Sequence, residues 1–373
     1  MRSEFELLEV CQIQNGYAFD SSKFSETQGM PLIRIRDLKA NVCSLRFFGD
    51  FDKSYIVKAG DLLVGMDGEF RIYKWSGYDA LLNQRVCRLV PKPEKLDSDF
   101  LLYRIDQDLK EIEDKTPSTT VKHLSSLTLG AVKLSLPGLD TQRQIAAKLK
   151  TQLAEVETAR QALEIKQQEI VKLANAYIRQ SIEHSKVSEC PLGDVLDEVK
   201  KGIGECWADY PVLGATRDGL APAKEPPGKQ PQRYKPVFSG TVFYNPMRIL
   251  IGSIAFVDDG DQPGITSPDY VALQGKPGIV DSRWFYYWLR SPYGVQCINS
   301  LARGAVRERM LFNRLAEGFI QLPPYSEQVR ISAALKQLQP VKAAIKQQLD
   351  DLNKIPERLL ATAFDFNPKR RSA

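Results

Sequence analysis

The chain is 373 residues long, 43% hydrophobic, with a formal net charge of +5. That length exceeds the usual single domain, and the hydrophobic share lets each of two domains bury a core. No apolar run approaches the ~20 residues a membrane-crossing helix needs, and the opening Met1-Arg2-Ser3-Glu4-Phe5-Glu6 is not a signal peptide, so a cytoplasmic protein with no membrane partner is expected.

The location of the charge matters more than its sum. Residues 1–137 carry 19 basic and 20 acidic side chains; residues 138–186 carry 8 and 6. Residues 187–322 carry 15 and 15, and residues 323–373 carry 9 and 5. The globular parts are therefore near neutral, and only a clustered basic face could favour nucleic acid. The six cysteines, Cys11, Cys43, Cys87, Cys190, Cys206 and Cys297, have no metal or redox spacing and read as isolated reduced thiols. With His123 and His184 alone, histidine-based acid–base or metal chemistry has few candidates. No metal and no cofactor are expected of the chain.

In chain order, Pro31-Leu-Ile-Arg-Ile-Arg36 alternates apolar and basic residues, which predicts a half-buried strand. Arg34, Arg36 and Lys39 would then lie on one strand face and the turn after it, facing either a DNA groove or solvent. Asp61 to Asp67 follows Gly60 and reads as a strand. Asn83, Gln84 and Arg85 carry groups suited to base-edge readout, although an Asn-Gln turn needs no ligand. Phe100 to Asp108 reads as a short buried helix. Thr116-Pro-Ser-Thr-Thr-Val-Lys-His-Leu124 is a loop of hydroxyls and cations. Leu149, Val156, Leu163, Ile170 and Tyr177 then recur every seventh residue, with Ile145, Ala159 and Leu173 between them, a coiled-coil seam weakened by Gln152 and Lys166.

The second half follows the same order. Lys224, Lys229, Arg233 and Lys235 sit in a Pro-rich loop from Pro222 to Pro236, which reads first as a flexible link. Thr241 to Tyr244 and Ile249 to Val257 read as strands, and Trp284 to Leu289 as a buried helix. Ala302-Arg-Gly-Ala-Val-Arg-Glu-Arg-Met310 is the second basic loop. Ile331, Leu335, Leu338, Lys342, Ile345, Leu349, Leu352, Pro356, Leu359 and Ala363 step by four and three, a second seam. Pro340 and Pro356 are expected to kink that helix or break it into segments.

The two halves are echoes of each other. Leu134-Ser-Leu-Pro-Gly-Leu-Asp-Thr-Gln-Arg-Gln-Ile145 matches Ile320-Gln-Leu-Pro-Pro-Tyr-Ser-Glu-Gln-Val-Arg-Ile331 at an offset of 186. Asp97 to Tyr103 matches Asp281 to Tyr287 at 184, and Val57-Lys-Ala-Gly60 matches Val237-Phe-Ser-Gly240 at 180. Three echoes in the same order, with slowly drifting offsets, indicate duplication followed by loop insertion. The expected fold class is α+β. Two mixed α/β domains related by a pseudo-two-fold axis are separated by two long helices, and antiparallel pairing of those helices puts the domains at opposite ends. Parallel pairing is also open to the pattern.

On these residues the chain resembles the specificity subunit of type I restriction–modification systems. Leu322-Pro-Pro-Tyr-Ser-Glu-Gln328, running into a heptad helix, is similar to that family's conserved region. Leu136 to Gln142 is a degraded copy, with Gly138 for the second proline and Thr141 for the glutamate. Gly65-Met-Asp-Gly-Glu-Phe-Arg71 with Leu81 to Arg85, and Tyr244-Asn-Pro-Met-Arg248 with Ser267 to Tyr270, resemble its target-recognition domains. The resemblance covers nearly the whole chain. It implies target-recognition domains at 1–137 and 187–322, spacer helices at 138–186 and 323–366, and a basic tail at 367–373. It also implies that each recognition domain reads one half of a split, asymmetric site in double-stranded DNA. The helices would bind two methyltransferase subunits, which carry S-adenosylmethionine, and a motor–nuclease restriction subunit can join them. The specificity subunit itself performs no chemistry.

The family places a DNA-facing loop before each long helix. That points to Thr119, Thr120, Lys122 and His123 in one half and Arg303, Arg307 and Arg309 in the other. Arg34, Arg36, Lys39, Asn83, Arg85 and Arg248 complete the candidate set. The competing reading of the first loop is a solvated segment in which Thr119 caps a helix. Tyr244-Asn-Pro-Met247 superficially resembles a DNA amino-methyltransferase motif, but Met247 cannot stack a flipped base as an aromatic does, and no glycine-rich turn for a methyl donor is present. Pro268-Asp269 with Gln274-Gly-Lys276 mimics a nuclease site at too close a spacing. The alternative to DNA reading is a scaffold whose coiled coil holds two partner proteins.

Overall fold

A computed structural model describes residues 3–117, 122–302 and 309–364. The chain forms two compact units, residues 1–160 with 350–373, and residues 161–349. Among the described residues no helix is long and apolar enough to cross a membrane.

In the first unit, strand Ser3–Glu6 pairs antiparallel with Lys133–Leu136, and a four-stranded sheet runs in the order Cys11–Asn15, Val86–Pro91, Leu62–Gly65, Ile72–Lys74. In the second unit, Ser188–Pro191 pairs with Phe319–Leu322, and the sheet order is Leu196–Glu198, Val271–Gly275, Val242–Tyr244, Ile254–Phe256. The same frame is thus built twice. What differs is inserted between its strands. The first unit adds a five-stranded sheet containing Met30–Ile33 and Ala80–Leu82, and the second adds two separate two-stranded ribbons.

The sequence echoes sit where the frame is fixed. Asp97 and Asp281 cap the helices Ser98–Arg104 and Ser282–Arg290, each accepting the amide of the third residue on, Phe100 or Trp284, at 2.9 Å. Gly60 and Gly240 start equivalent strands in the left-handed region, at φ of 100° and 84°. Gln142 and Gln328 are both 1% exposed. The Gln142 side-chain oxygen accepts the Asp97 amide at 2.9 Å, and its nitrogen donates to the Lys95 and Pro137 carbonyls at 3.0 and 2.8 Å. Gln328 repeats this with the Asp281 amide and the Ile279 and Pro323 carbonyls, at 2.9, 3.0 and 2.9 Å. One buried amide therefore fastens the start of each long helix to the capped helix of its own unit. An amide, with two N–H donors and an acceptor on one fork, serves two carbonyls and an N–H at once, which a hydroxyl with its single donor cannot.

The long helices span Leu139–Glu183 and Tyr325–Phe364. Each unit draws on both. The first core takes Ala146 from the beginning of one helix and packs Phe364 from the end of the other against Phe100, with ring centroids 5.4 Å apart. The second core takes Ala174, Ile178 and Ile182 with Ile331 and Leu335. Within each unit the two helices therefore meet in opposed order, as antiparallel pairing requires. All ten seam positions read for the second helix are covered or half-covered.

Four expectations need correction. In the first helix the intermediate seam row is Ala146, Leu153 and Ala174, one residue later than the row through Ile145, and Ala159 and Leu173 are exposed. Periodicity near 3.5 leaves the choice between adjacent rows to packing. The second helix is continuous through Pro340 and Pro356. Each proline forfeits one donor, and the flanking ladder continues past it. The strand expected over Pro31–Arg36 ends at Ile33, and Arg34 begins the one-turn helix Ile35–Leu38. Of Ile249–Val257, only Ile254–Phe256 is strand. Ile249–Ile251 is a single tight turn stopped by Gly252 in the left-handed region.

Candidate nucleic-acid interface

Arg34, Arg36 and Lys39 do not form a basic strand face. The Arg34 amide donates to Asp37 Oδ2 at 2.9 Å, its guanidinium donates to Ser44 Oγ, and its Nε lies 3.5 Å from Asp37. Arg34 is therefore engaged by its own helix cap, while Arg36 and Lys39 are exposed. Lys122 is likewise turned inward. Its ammonium donates to the Glu113 carbonyl at 2.6 Å, in the last turn of helix Asp106–Lys115, where a cation complements the helix dipole. Thr119, Thr120, Arg303 and Arg307 lie outside the described residues.

Three segments that are far apart in sequence converge at one end of the first four-stranded sheet. The Met66 amide donates to the Arg85 carbonyl at 3.0 Å, the Leu124 amide to the Met66 carbonyl at 2.7 Å, and the Gly68 amide to the Lys122 carbonyl at 2.9 Å. This backbone stitching gathers the 65–71 stretch, the Asn83–Arg85 turn and the segment leading out of the Thr-rich loop. Asn83 closes its turn by accepting the Gln84 amide on its side chain at 2.9 Å and the Val86 amide on its carbonyl at 2.9 Å.

The side chains meet at Asp67. Arg85 Nη1 donates to Asp67 Oδ2 at 2.8 Å, and His123 Nδ1 contacts Asp67 Oδ1 at 2.7 Å. The carboxylate side chain is 14% exposed, whereas Arg85 and His123 are 63% and 65% exposed. An inner acid thus holds two outward-facing nitrogen-bearing groups. The arrangement suits hydrogen-bond donation to a base edge or a phosphate oxygen. Asp67 was not among the residues that sequence reading singled out. Its only signal was its place in the 65–71 stretch, because the pairing to Arg85 and His123 depends on long-range register.

One of these three bonds recurs in the second unit, where Pro246, standing in Met66's place, has a carbonyl but no N–H to donate. The Met310 amide donates to the Pro246 carbonyl at 3.1 Å, and Arg309 Nη2 donates to Asp269 Oδ1 at 3.0 Å. Arg248 is exposed, and its carbonyl accepts the Ser253 amide at 3.1 Å. Tyr244 is fully buried and Asn245 Oδ1 accepts the Met247 amide at 3.0 Å, so Tyr244–Met247 is a strand end and a turn. Lys276 donates to the Asp194 carbonyl at 2.7 Å, a partner that belongs to the frame and not to the Asp269 surface. Among the described residues no cluster of three or more His, Cys, Asp and Glu could hold a metal ion.

Comparison with known proteins agrees with this architecture. The family model described as Type I restriction modification DNA specificity domain matches residues 3–167. The EcoBI specificity subunit of Escherichia coli is 29% identical over 95% of this chain and 84% of its own length. The putative MjaX specificity subunit of Methanocaldococcus jannaschii is 24% identical over 96% of this chain and 91% of its own. Among solved structures, a chain described under complex assembly and conformational transition of the type I R-M system aligns with a TM-score of 0.63 at 19% identity, covering 97% of both chains. The type I S subunit from M. genitalium aligns at 0.54 and 15% identity, covering 98% of this chain and 96% of that one. These two likenesses bear on the fold.

Proposed function

Because the chain is similar over nearly its whole length to specificity subunits of type I restriction–modification systems, we propose that it is such a subunit, that it reads a split, asymmetric DNA target, one half-site per recognition domain, and that it brings modification enzymes to it. The observation that carries this reading is a frame built twice with its clasps intact and its inserted strands and loop-end side chains diverged. Two copies of one reader would favour a symmetric target; two diverged readers favour an asymmetric one. Every relative reported above is named as a specificity subunit, which leaves the plain scaffold reading without support.

The recognition domains are assigned to residues 1–137 and 187–322, and the helices at 138–186 and 323–366 act as the spacer. Two methyltransferase subunits, carrying S-adenosylmethionine, dock on this spacer, and a restriction subunit joins the same assembly. The chain contributes recognition and no bond-breaking step. Arg85, His123, Arg248 and Arg309 are the best-placed DNA contacts, because they are exposed at the gathered loop ends. Thr119, Thr120, Arg303 and Arg307 extend the same surface by sequence. Asn83 shapes the turn beneath Arg85, Arg36 and Lys39 serve at most as phosphate contacts, and Arg34 and Lys122 support the fold. The near-neutral domains explain why affinity would come from the assembled complex and not from this chain alone.

The experiment is reconstitution of methyl transfer with the methyltransferase subunits, with and without this chain. Methylation at defined sites only when the chain is present is the expected result. Equal methylation without it overturns the proposal.

A further inference from the structure

The register of the two four-stranded sheets aligns the loop ends residue by residue. Leu62 pairs with Leu89 in the first unit, and its counterpart Val242 pairs with Leu273 in the second. Counting back four residues on each partner strand places Arg85 and Asp269 at the same position. Leu124 and Met310 make the same backbone bond to Met66 and Pro246, so His123 corresponds to Arg309 and Asp67 to Met247. One locus therefore holds Asp67, Arg85 and His123 in one unit, and Met247, Asp269 and Arg309 in the other.

The chemistry at this locus is inverted. Arg85 presents only donors and is 63% exposed; Asp269, in its place, presents only acceptors and is 80% exposed. In both units an ion pair crosses the locus, Arg85 to Asp67 and Arg309 to Asp269. An exposed carboxylate at a DNA-facing loop end is repelled by phosphates; beyond pairing with Arg309, its favourable contact there is with a base amine.

Resting on the DNA-reading proposal above, we propose that the position held by Arg85 and Asp269 is a specificity-determining position of inverted hydrogen-bonding polarity. Arg85 reads a guanine in the half-site of the first unit. Asp269 reads a base with an exocyclic amine, cytosine above all, in the half-site of the second. The inversion gives the target part of its asymmetry at a single structural position.

The test uses the full chain assembled with its methyltransferase subunits, with methylated motifs mapped for the wild type, Arg85→Ala, Arg85→Lys and Asp269→Ala. Arg85→Ala should lower the preference for one guanine in one half-site by about tenfold or more, and Arg85→Lys, which keeps a donor but loses the planar fork, by less, leaving the other half-site unchanged. Asp269→Ala should do the same for one amine-bearing base in the other half-site. Unchanged motifs in Arg85→Ala or Asp269→Ala overturn the inference. A uniform fall at all sites from a chain that unfolds like the wild type also overturns it. A wild-type complex with no split motif defeats the DNA-reading proposal itself, whereas a wild-type split motif that the variants leave intact defeats only this inference.

Discussion

Gln328→Met keeps the side-chain volume and deletes the amide that fastens the second long helix to its unit. Three backbone groups lose their partner, namely the Asp281 amide and the Ile279 and Pro323 carbonyls. Each such bond is worth about 0.5–1.5 kcal/mol net, and groups that remain dry after the loss cost more. Pro323 is buried, whereas Ile279 is exposed enough for water to reach its carbonyl. The expected loss is therefore about 2–4 kcal/mol. Urea unfolding of the full chain, followed by tryptophan fluorescence, measures it. Trp207, Trp284 and Trp288 lie in the second unit and Trp75 in the first. The transition reported by the second unit should move to lower urea with its slope unchanged, and the Asp281 amide should lose protection from hydrogen exchange. Gln168→Met, at an exposed site on the first helix, is the control and should change stability by less than about 0.5 kcal/mol. A loss below about 1 kcal/mol in Gln328→Met would refute the clasp argument.

Three further outcomes follow from the same structure. Ser181 accepts the indole N–H of Trp284 at 3.0 Å and donates to the Ile178 carbonyl at 2.7 Å in a buried site, so Ser181→Ala should cost about 1–3 kcal/mol in the same urea assay. Hydrogen bonds from Ser239, then Lys336 and Arg283, hold the Asp259 carboxyl at about 2, below its ordinary value. The sign follows from linkage: a depressed folded value stabilises above the unfolded value, and that stabilisation is lost as pH falls from about 4 towards 2. Asp259→Asn should flatten that part of the acid unfolding profile, and an unchanged profile would contradict the assignment. Burial pushes the Cys11 and Cys87 thiols up to about 12, so iodoacetamide at pH 8 should label exposed Cys206 and reach Cys11 and Cys87 only after unfolding.

Much of the frame was legible because it rests on local signals. Runs of buried aromatic and aliphatic residues showed the helices near Phe100 and Trp284, although not their aspartate caps, and steps of four and three showed the second long helix. The Pro…Gln echo was visible, but its reason was not, since the clasp joins Gln328 to groups near residue 280. The first helix was misread by one residue because Gln152 and Lys166 blurred its seam and left two candidate rows. Pro31–Arg36 alternates like a strand, yet a capping bond from the Arg34 amide to Asp37 ends the strand first. Local capping outweighed periodicity over so short a run. At the candidate interface, Arg85 and His123 carried a sequence signal, whereas Asp67 and the Arg85–Asp269 equivalence required strand register.

The central claim is that two diverged readers on one duplicated frame give a two-part, asymmetric DNA target. Methylome sequencing of cells carrying this chain with its methyltransferase subunits, compared with cells lacking only this chain, tests it most directly. The account predicts an interrupted methylated motif with unlike halves that disappears when this chain is removed. A motif that persists without the chain, or one that is continuous or palindromic, would contradict it.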